Sequence, residues 1–134
     1  MSSSPLPPAV LEFLAQPNPA VITAVRADGQ PVSVATWYRF EDGQILVNMD
    51  EGRRRLDYLR ADPRVSLTVL AADDWYTHVS LQGRVVRFDN DPDLADIDRL
   101  AEHYRGHPYP NREQMRVSAW IEVETWHAWG ALAG

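Results

Sequence analysis

Two hydrophobic rhythms alternate along this chain, and their order predicts its architecture. Val65-Ser66-Leu67-Thr68-Val69-Leu70 alternates apolar and polar residues with the two-residue period of a half-buried strand. The longest such run extends from Trp75 to Phe88. It sets Trp75, Thr77, Val79, Leu81, Gly83 and Val85 on one face and Tyr76, His78, Ser80, Gln82 and Arg84 on the other. Gly83 inside that run predicts a bulge or a close backbone approach. Two runs rich in branched residues, Ala20 to Val25 and Pro31 to Tyr38, flank the hairpin signal Asp28-Gly29. Gln44 to Met49 follows the turn Glu41-Asp42-Gly43, and Arg116 to Val123 continues into Glu124 to Gly130 as the last strand.

Three segments carry the helical period instead. Ala9 to Ala15 follows Pro7 and Pro8, which suit a first turn whose amides need no partner. Arg53 to Arg60 ends before Asp62-Pro63, because a residue preceding proline avoids the helical region. Asp91 caps the third helix, with Pro92 in its first turn, and Leu94, Ile97, Leu100, Ala101 and Tyr104 form its apolar face. About six strands joined by hairpins, with helices inserted after the third and fifth, predict a mainly β, α+β protein built on an antiparallel barrel. Residues 1–18 are expected to form an N-terminal tail and short helix, and residues 19–134 a single barrel domain.

Composition narrows the chemistry. A length of 134 residues suits one domain with a substantial core. The net charge of -6 argues against nucleic acid as a partner, since no basic stripe runs along the chain. The chain has no cysteine, which excludes disulfides, thiolate nucleophiles and cysteine metal sites. His103 and His107 flank Gly106 at a helix end, so no metal site is expected from them. The start, Met1 to Pro8, lacks a basic region and an apolar run, and no window reaches membrane-spanning length; a cytoplasmic protein without membrane contact is the expectation.

One local feature runs against this acidic background. Arg53, Arg54 and Arg55 crowd the start of the second helix, where the helix dipole disfavours cations. The third helix obeys the dipole rule, with Asp93 and Asp96 near its start and Arg99 and Arg105 near its end. Three permanent cations at the wrong end of a helix call for an anion, most simply a phosphate. Neutralisation by Asp50, Glu51 and Asp57 on a solvated face is the competing account.

The segments Ala27 to Pro31, Gly52 to Leu67, Trp75 to Val85 and the tail around Trp126 resemble, in order, the pyridoxamine-phosphate-oxidase-like flavin and deazaflavin proteins. The likeness is to the actinobacterial branch that uses the deazaflavin F420, and Asp62-Pro63-Arg64-Val65-Ser66-Leu67 is its most specific part. The resemblance implies a split β-barrel that works as a homodimer, with a cofactor site at each end of the interface. It implies that Arg55, beside Arg53 and Arg54, clamps the cofactor phosphate, and that Asn48 and Met49 lie along the ring. His78 falls where flavin-using members often place a ring-bonding glutamine. Trp37 and Trp126 are implied to line the pocket, Trp126 from the partner subunit.

The second strand carries Val34-Ala35-Thr36-Trp37-Tyr38 where flavin oxidases place basic residues, and the tail through Gly134 lacks the substrate motif of true pyridoxamine phosphate oxidases. F420 is therefore preferred over riboflavin phosphate (FMN). The implied activity is hydride transfer from reduced F420 to an enone, a quinone or a tetrapyrrole-like acceptor, with the chemistry carried by the cofactor and no catalytic side chain expected. A non-catalytic F420, FMN or haem carrier of the same fold is the alternative, and a barrel whose arginines merely meet their own acids is the third reading.

Overall fold

The computed structural model describes residues 2–133. It contains seven strands in a single antiparallel sheet. In chain order the elements are α1 (Pro8–Leu14), β1 (Ala20–Val25), β2 (Pro31–Thr36), β3 (Arg39–Glu41), β4 (Gln44–Asp50), α2 (Arg54–Ala61), β5 (Arg64–Ala71), β6 (Asp74–Asn90), α3 (Ala95–Arg105) and β7 (Arg116–Trp129), with a terminal 3-10 turn at Gly130–Leu132. Spatially the strands follow the order β2-β1-β5-β6-β7-β4-β3. The sheet wraps around one core, a split β-barrel, which Ile22, Ile45, Val47, Leu67, Val69, Val79, Leu81 and Ile121 fill.

Alternation builds this core directly. Along β6 the buried positions are Thr77, Val79, Leu81, Gly83 and Val85, the face expected from the sequence apart from Trp75, which is 74% exposed. Gly83 sits at a register shift between β6 and β7, where an added Cβ would lie 1.9 Å from the Glu122 carbonyl oxygen. Val10 and Leu14 of α1 join the barrel core, and Leu56 and Leu59 of α2 plug it at another point. Ile97 and Leu100 of α3, with Leu94 just before it, form a smaller cluster with Trp37 and Tyr109.

The structure adjusts three expected boundaries. The second strand ends at Thr36, and Trp37 and Tyr38 lie between it and the short β3, because Tyr38 turns inward to donate from its hydroxyl to the Leu14 carbonyl at 2.9 Å. The last strand stops at Trp129, one residue short of the expected Gly130, whose positive φ of 67 turns the chain into the terminal 3-10 turn. The third helix begins at Ala95, yet Asp91 still caps it from a distance: its carboxylate accepts from the Asp96 and Ile97 amides, both at 3.0 Å. A left-handed Leu94 (φ 59) provides the bend that lets Asp91 reach them.

Candidate functional site

β4 delivers the polar centre of the site. Asn48 points away from the barrel interior, and the alternation of a strand turns its neighbour Met49 inward. Met49 is 1% exposed and its side chain packs in the core. Asn48 is buried and fully bonded. Its Nδ2 donates to Ser118 Oγ at 3.0 Å and to Asp91 Oδ2 at 3.2 Å, while its Oδ1 accepts from Arg116 Nε at 2.7 Å. Ser118 in turn donates to Asp96 at 2.7 Å. One connected network thus joins β4, β7 and the start of α3.

The arginines open around Asp50, the last residue of β4. Arg53 occupies the position before the first turn of α2, without side-chain capping, and lies 3.4 Å from the Asp50 carboxylate. Arg116, directly across the β4–β7 ladder from Asp50, donates to the same carboxylate. Arg55 is half-buried, and its Nε is one of two buried side-chain nitrogens without a partner among the described residues, the other being Trp120 Nε1. Burial holds the Arg55 guanidinium below its ordinary value; the charges of Arg53 and Arg116 push the same way, and Asp50 opposes them. Glu51 is engaged with Arg60 at 3.1 Å, so it does not relieve this crowding. Arg54 is exposed and turns elsewhere, beside Arg26, Asp28 and Tyr58 at the β1–β2 hairpin.

A groove of about 750 Å³ opens beside this cluster, and Arg116 and Asn48 belong to its wall. Its aromatic side is built by Trp37, Tyr104 and Tyr109. Trp37 stacks on Tyr104 (centroids 5.4 Å apart, planes at 12°) and meets Tyr109 edge-on at 6.2 Å. Tyr104 is fixed by donating to the Asn18 carbonyl at 2.8 Å, and Tyr109 by its amide on Asp98 at 3.0 Å. Two cations cover these rings: Arg105 stands 5.8 Å from the Trp37 centroid and Arg116 stands 4.8 Å from that of Tyr109.

The structure therefore brings Trp37, Asn48, Arg53 and Arg55 to one side of the molecule and leaves Arg54, His78 and Trp126 apart. His78 stacks on Trp129 (5.6 Å, 11°) and its Nδ1 meets the Tyr76 carbonyl at 2.7 Å. It lies near the opposite end of β6 from Asp89, the residue paired with Ser118. At about 3.3 Å per residue that separation is on the order of 30 Å along the strand. Trp126 is covered by the chain start: it pairs with Ser2 by two backbone bonds of 2.8 Å, and its Nε1 donates to the Ser4 carbonyl at 2.7 Å. Sequence reasoning passed over Arg116, Tyr104, Tyr109 and Arg105. A lone arginine opening an apolar strand was the only local sign of the first, and the others read as ordinary helix and loop residues.

Comparison with known proteins places this fold. The family model described as pyridoxamine 5'-phosphate oxidase matches residues 6–130. No curated protein matches the sequence. Among solved structures, one described as an F420 reductase superposes with a TM-score of 0.82 at 22% identity, covering 91% of this chain and 98% of the other. A conserved hypothetical protein from Mycobacterium tuberculosis gives a TM-score of 0.72 at 24% identity over 96% and 88% of the two chains. An FAD and heme binding protein from Mycobacterium smegmatis gives 0.67 at 15% identity over 96% and 71%. With a matching model over nearly its whole length and a split β-barrel beneath it, this chain belongs to the pyridoxamine 5'-phosphate oxidase family.

Proposed function

We propose that the protein is an F420-dependent reductase that binds the cofactor phosphate at Arg53 and Arg55 and lays the deazaflavin ring in the adjoining groove against Trp37. The observation that carries this reading is Arg55: a half-buried guanidinium among like charges, with a buried Nε from which nothing among the described residues accepts. A phosphate oxygen satisfies that donor and offsets the crowding in one contact, and arginine's planar fork suits such an oxyanion. The groove suits a planar ring: it is lined mainly by apolar and aromatic groups, with Asn48 and Arg116 marking its polar wall.

Reduced F420 supplies a hydride to an unsaturated acceptor such as an enone, a quinone or a tetrapyrrole-like ring. The protein's residues bind, orient and exclude water. Trp37, held by Tyr104, presents a flat wall; Arg53 and Arg55 anchor the tail, so that the ring's reach into the groove is set by its length. FMN is the competing cofactor. The reading includes a homodimer, because Trp75, Tyr76 and Trp129 are 74%, 59% and 42% exposed in the isolated chain and form an apolar edge that a second copy covers. In that assembly Trp126 of the partner subunit lines the pocket, as the family likeness implies.

Comparative titration of the purified protein with F420 and FMN, read by tryptophan fluorescence quenching, tests the proposal. Tighter binding of F420 and its loss in Arg53→Ala with Arg55→Ala are the expected results. Unchanged affinity in that variant would remove the phosphate from this site. Binding without turnover across a panel of enones, quinones and tetrapyrroles would make the protein a carrier instead.

A further inference from the structure

The arginine cluster and the aromatic groove meet at one residue that no sequence motif marks. We propose that Arg116 is a binding residue of this site, sharing with Arg55 the anionic phosphate of a planar cofactor, and that Asn48 and Asp50 are positioning residues that hold its guanidinium. The inference rests on the cofactor-binding reading above.

Arg116 is only 8% exposed, and a buried cation is retained only where it is paired, hydrogen-bonded or bound to something of opposite charge. Its carboxylate partner, Asp50, is shared with Arg53, so one acid stands among three guanidiniums: Arg53, Arg55 and Arg116. Among the described residues no other acid lies within salt-bridge distance of these three. Asp91 is occupied by the Asp96 and Ile97 amides and by Asn48, Asp96 by Arg99 and Ser118, and Glu51 by Arg60. At contact range the cluster therefore sets three guanidiniums against one carboxylate, on a chain whose net charge is -6.

Orientation points the same way. The Asn48 carbonyl fixes Nε, Asp50 fixes Nη1, and the Tyr109 ring at 4.8 Å covers one face of the guanidinium. Nη2 makes no hydrogen bond within the described chain, and the residue lies in the groove wall. A plain cross-strand strap between β7 and β4 accounts for Nη1. It accounts neither for the surplus charge nor for a guanidinium fixed at three points with its remaining edge unpartnered.

The test compares ligands with and without phosphate, FMN against riboflavin and F420 against its dephosphorylated deazaflavin core, titrated into wild type, Arg116→Gln, Arg116→Lys and Arg55→Gln. Arg116→Gln is expected to weaken the phosphorylated ligand by roughly tenfold or more, as befits a lost charge-assisted contact, and the unphosphorylated one by about twofold at most. A merely structural role would weaken both ligands equally, and that result would overturn the proposal. Loss of phosphate preference in Arg55→Gln but not in Arg116→Gln would overturn the role of Arg116 alone. Unchanged preference in both would overturn the cofactor reading itself. If the glutamine variant melts before it can be titrated, Arg116→Lys carries the test, since it keeps the charge but loses the fork. It is expected to bind phosphorylated ligand at least about threefold more weakly; wild-type affinity there would count against the proposal.

Discussion

Arg116 Nε donates to Asn48 Oδ1 at 2.7 Å, so that the buried charge at the start of β7 is held by an amide on β4. Asn48 accepts that bond only because its Nδ2 is already oriented by Ser118 and Asp91. The pair makes a structural residue and a site residue depend on each other.

Replacing Asn48 with leucine should therefore cost both stability and binding. The change strands Arg116 Nε in a buried setting and removes a donor from Asp91 and Ser118, at about 1–3 kcal/mol for each buried group left unpaired. Urea denaturation should show a lower midpoint, and cofactor titration a weaker affinity. A variant as stable as wild type would mean that water replaces the amide without loss.

Gly83→Ala should destabilise strongly. The new Cβ falls 1.9 Å from the Glu122 carbonyl oxygen and 2.9 Å from its carbon, and backbone in a sheet yields poorly. We expect about 3 kcal/mol or more, read from chemical denaturation. Gly52→Ala is the matched control: nothing lies within 4 Å of its added Cβ, and its stability should change by no more than about 0.5 kcal/mol.

Acid should weaken the fold through two turn carboxylates. Arg26 holds Asp28 down to about 2 with help from the Gln30 amide, and Arg64 holds Asp62 down to about 2 by side-chain and backbone bonds. Both values lie below the ordinary 3.8, so the stabilisation is present above that pH and is lost as pH falls through about 2. Both groups are exposed, so salt should flatten the effect. Melting temperatures measured from pH 5 to pH 2 at low and at high salt check this; a midpoint that does not fall below pH 4 would contradict it.

At the alkaline end, burial pushes the Tyr104 phenol up to about 12, and the Tyr38 phenol moves in the same direction for the same reason. A raised value means that their contribution is whole below the ordinary 10 and declines as pH rises through about 12. In a near-ultraviolet titration, the folded protein should withhold part of its phenolate absorbance until it unfolds. Full ionisation of all tyrosines near pH 10 without unfolding would show that these two hydroxyls are open to water.

Trp75→Ser combined with Trp129→Ser should convert a dimer to a monomer without unfolding it. Both rings are largely exposed in the single chain, so their removal leaves the barrel core intact. Light scattering reads the mass and circular dichroism the fold. A wild-type protein that is itself monomeric would place the exposed aromatic edge outside any self-association.

Local physics alone made much of this legible. Alternation marked the buried face of β6 down to Gly83, the residue before Pro63 ended α2, and Asp91 announced a capped helix. The three arginines were visible because a dipole argument needs only neighbours in sequence. Which of them face the site was not, because a single residue step, about 100° around the helix, separates Arg54, beside the β1–β2 hairpin, from Arg55, beside Asp50. Arg116, Tyr104 and Tyr109 join the candidate site through strand pairing and helix packing across distant parts of the chain, and the Met49 side chain turns into the core. Periodicity sets which face of an element is buried. Only the closed sheet decides which faces of different elements meet, and there the tertiary structure made a groove out of residues that are ordinary one at a time.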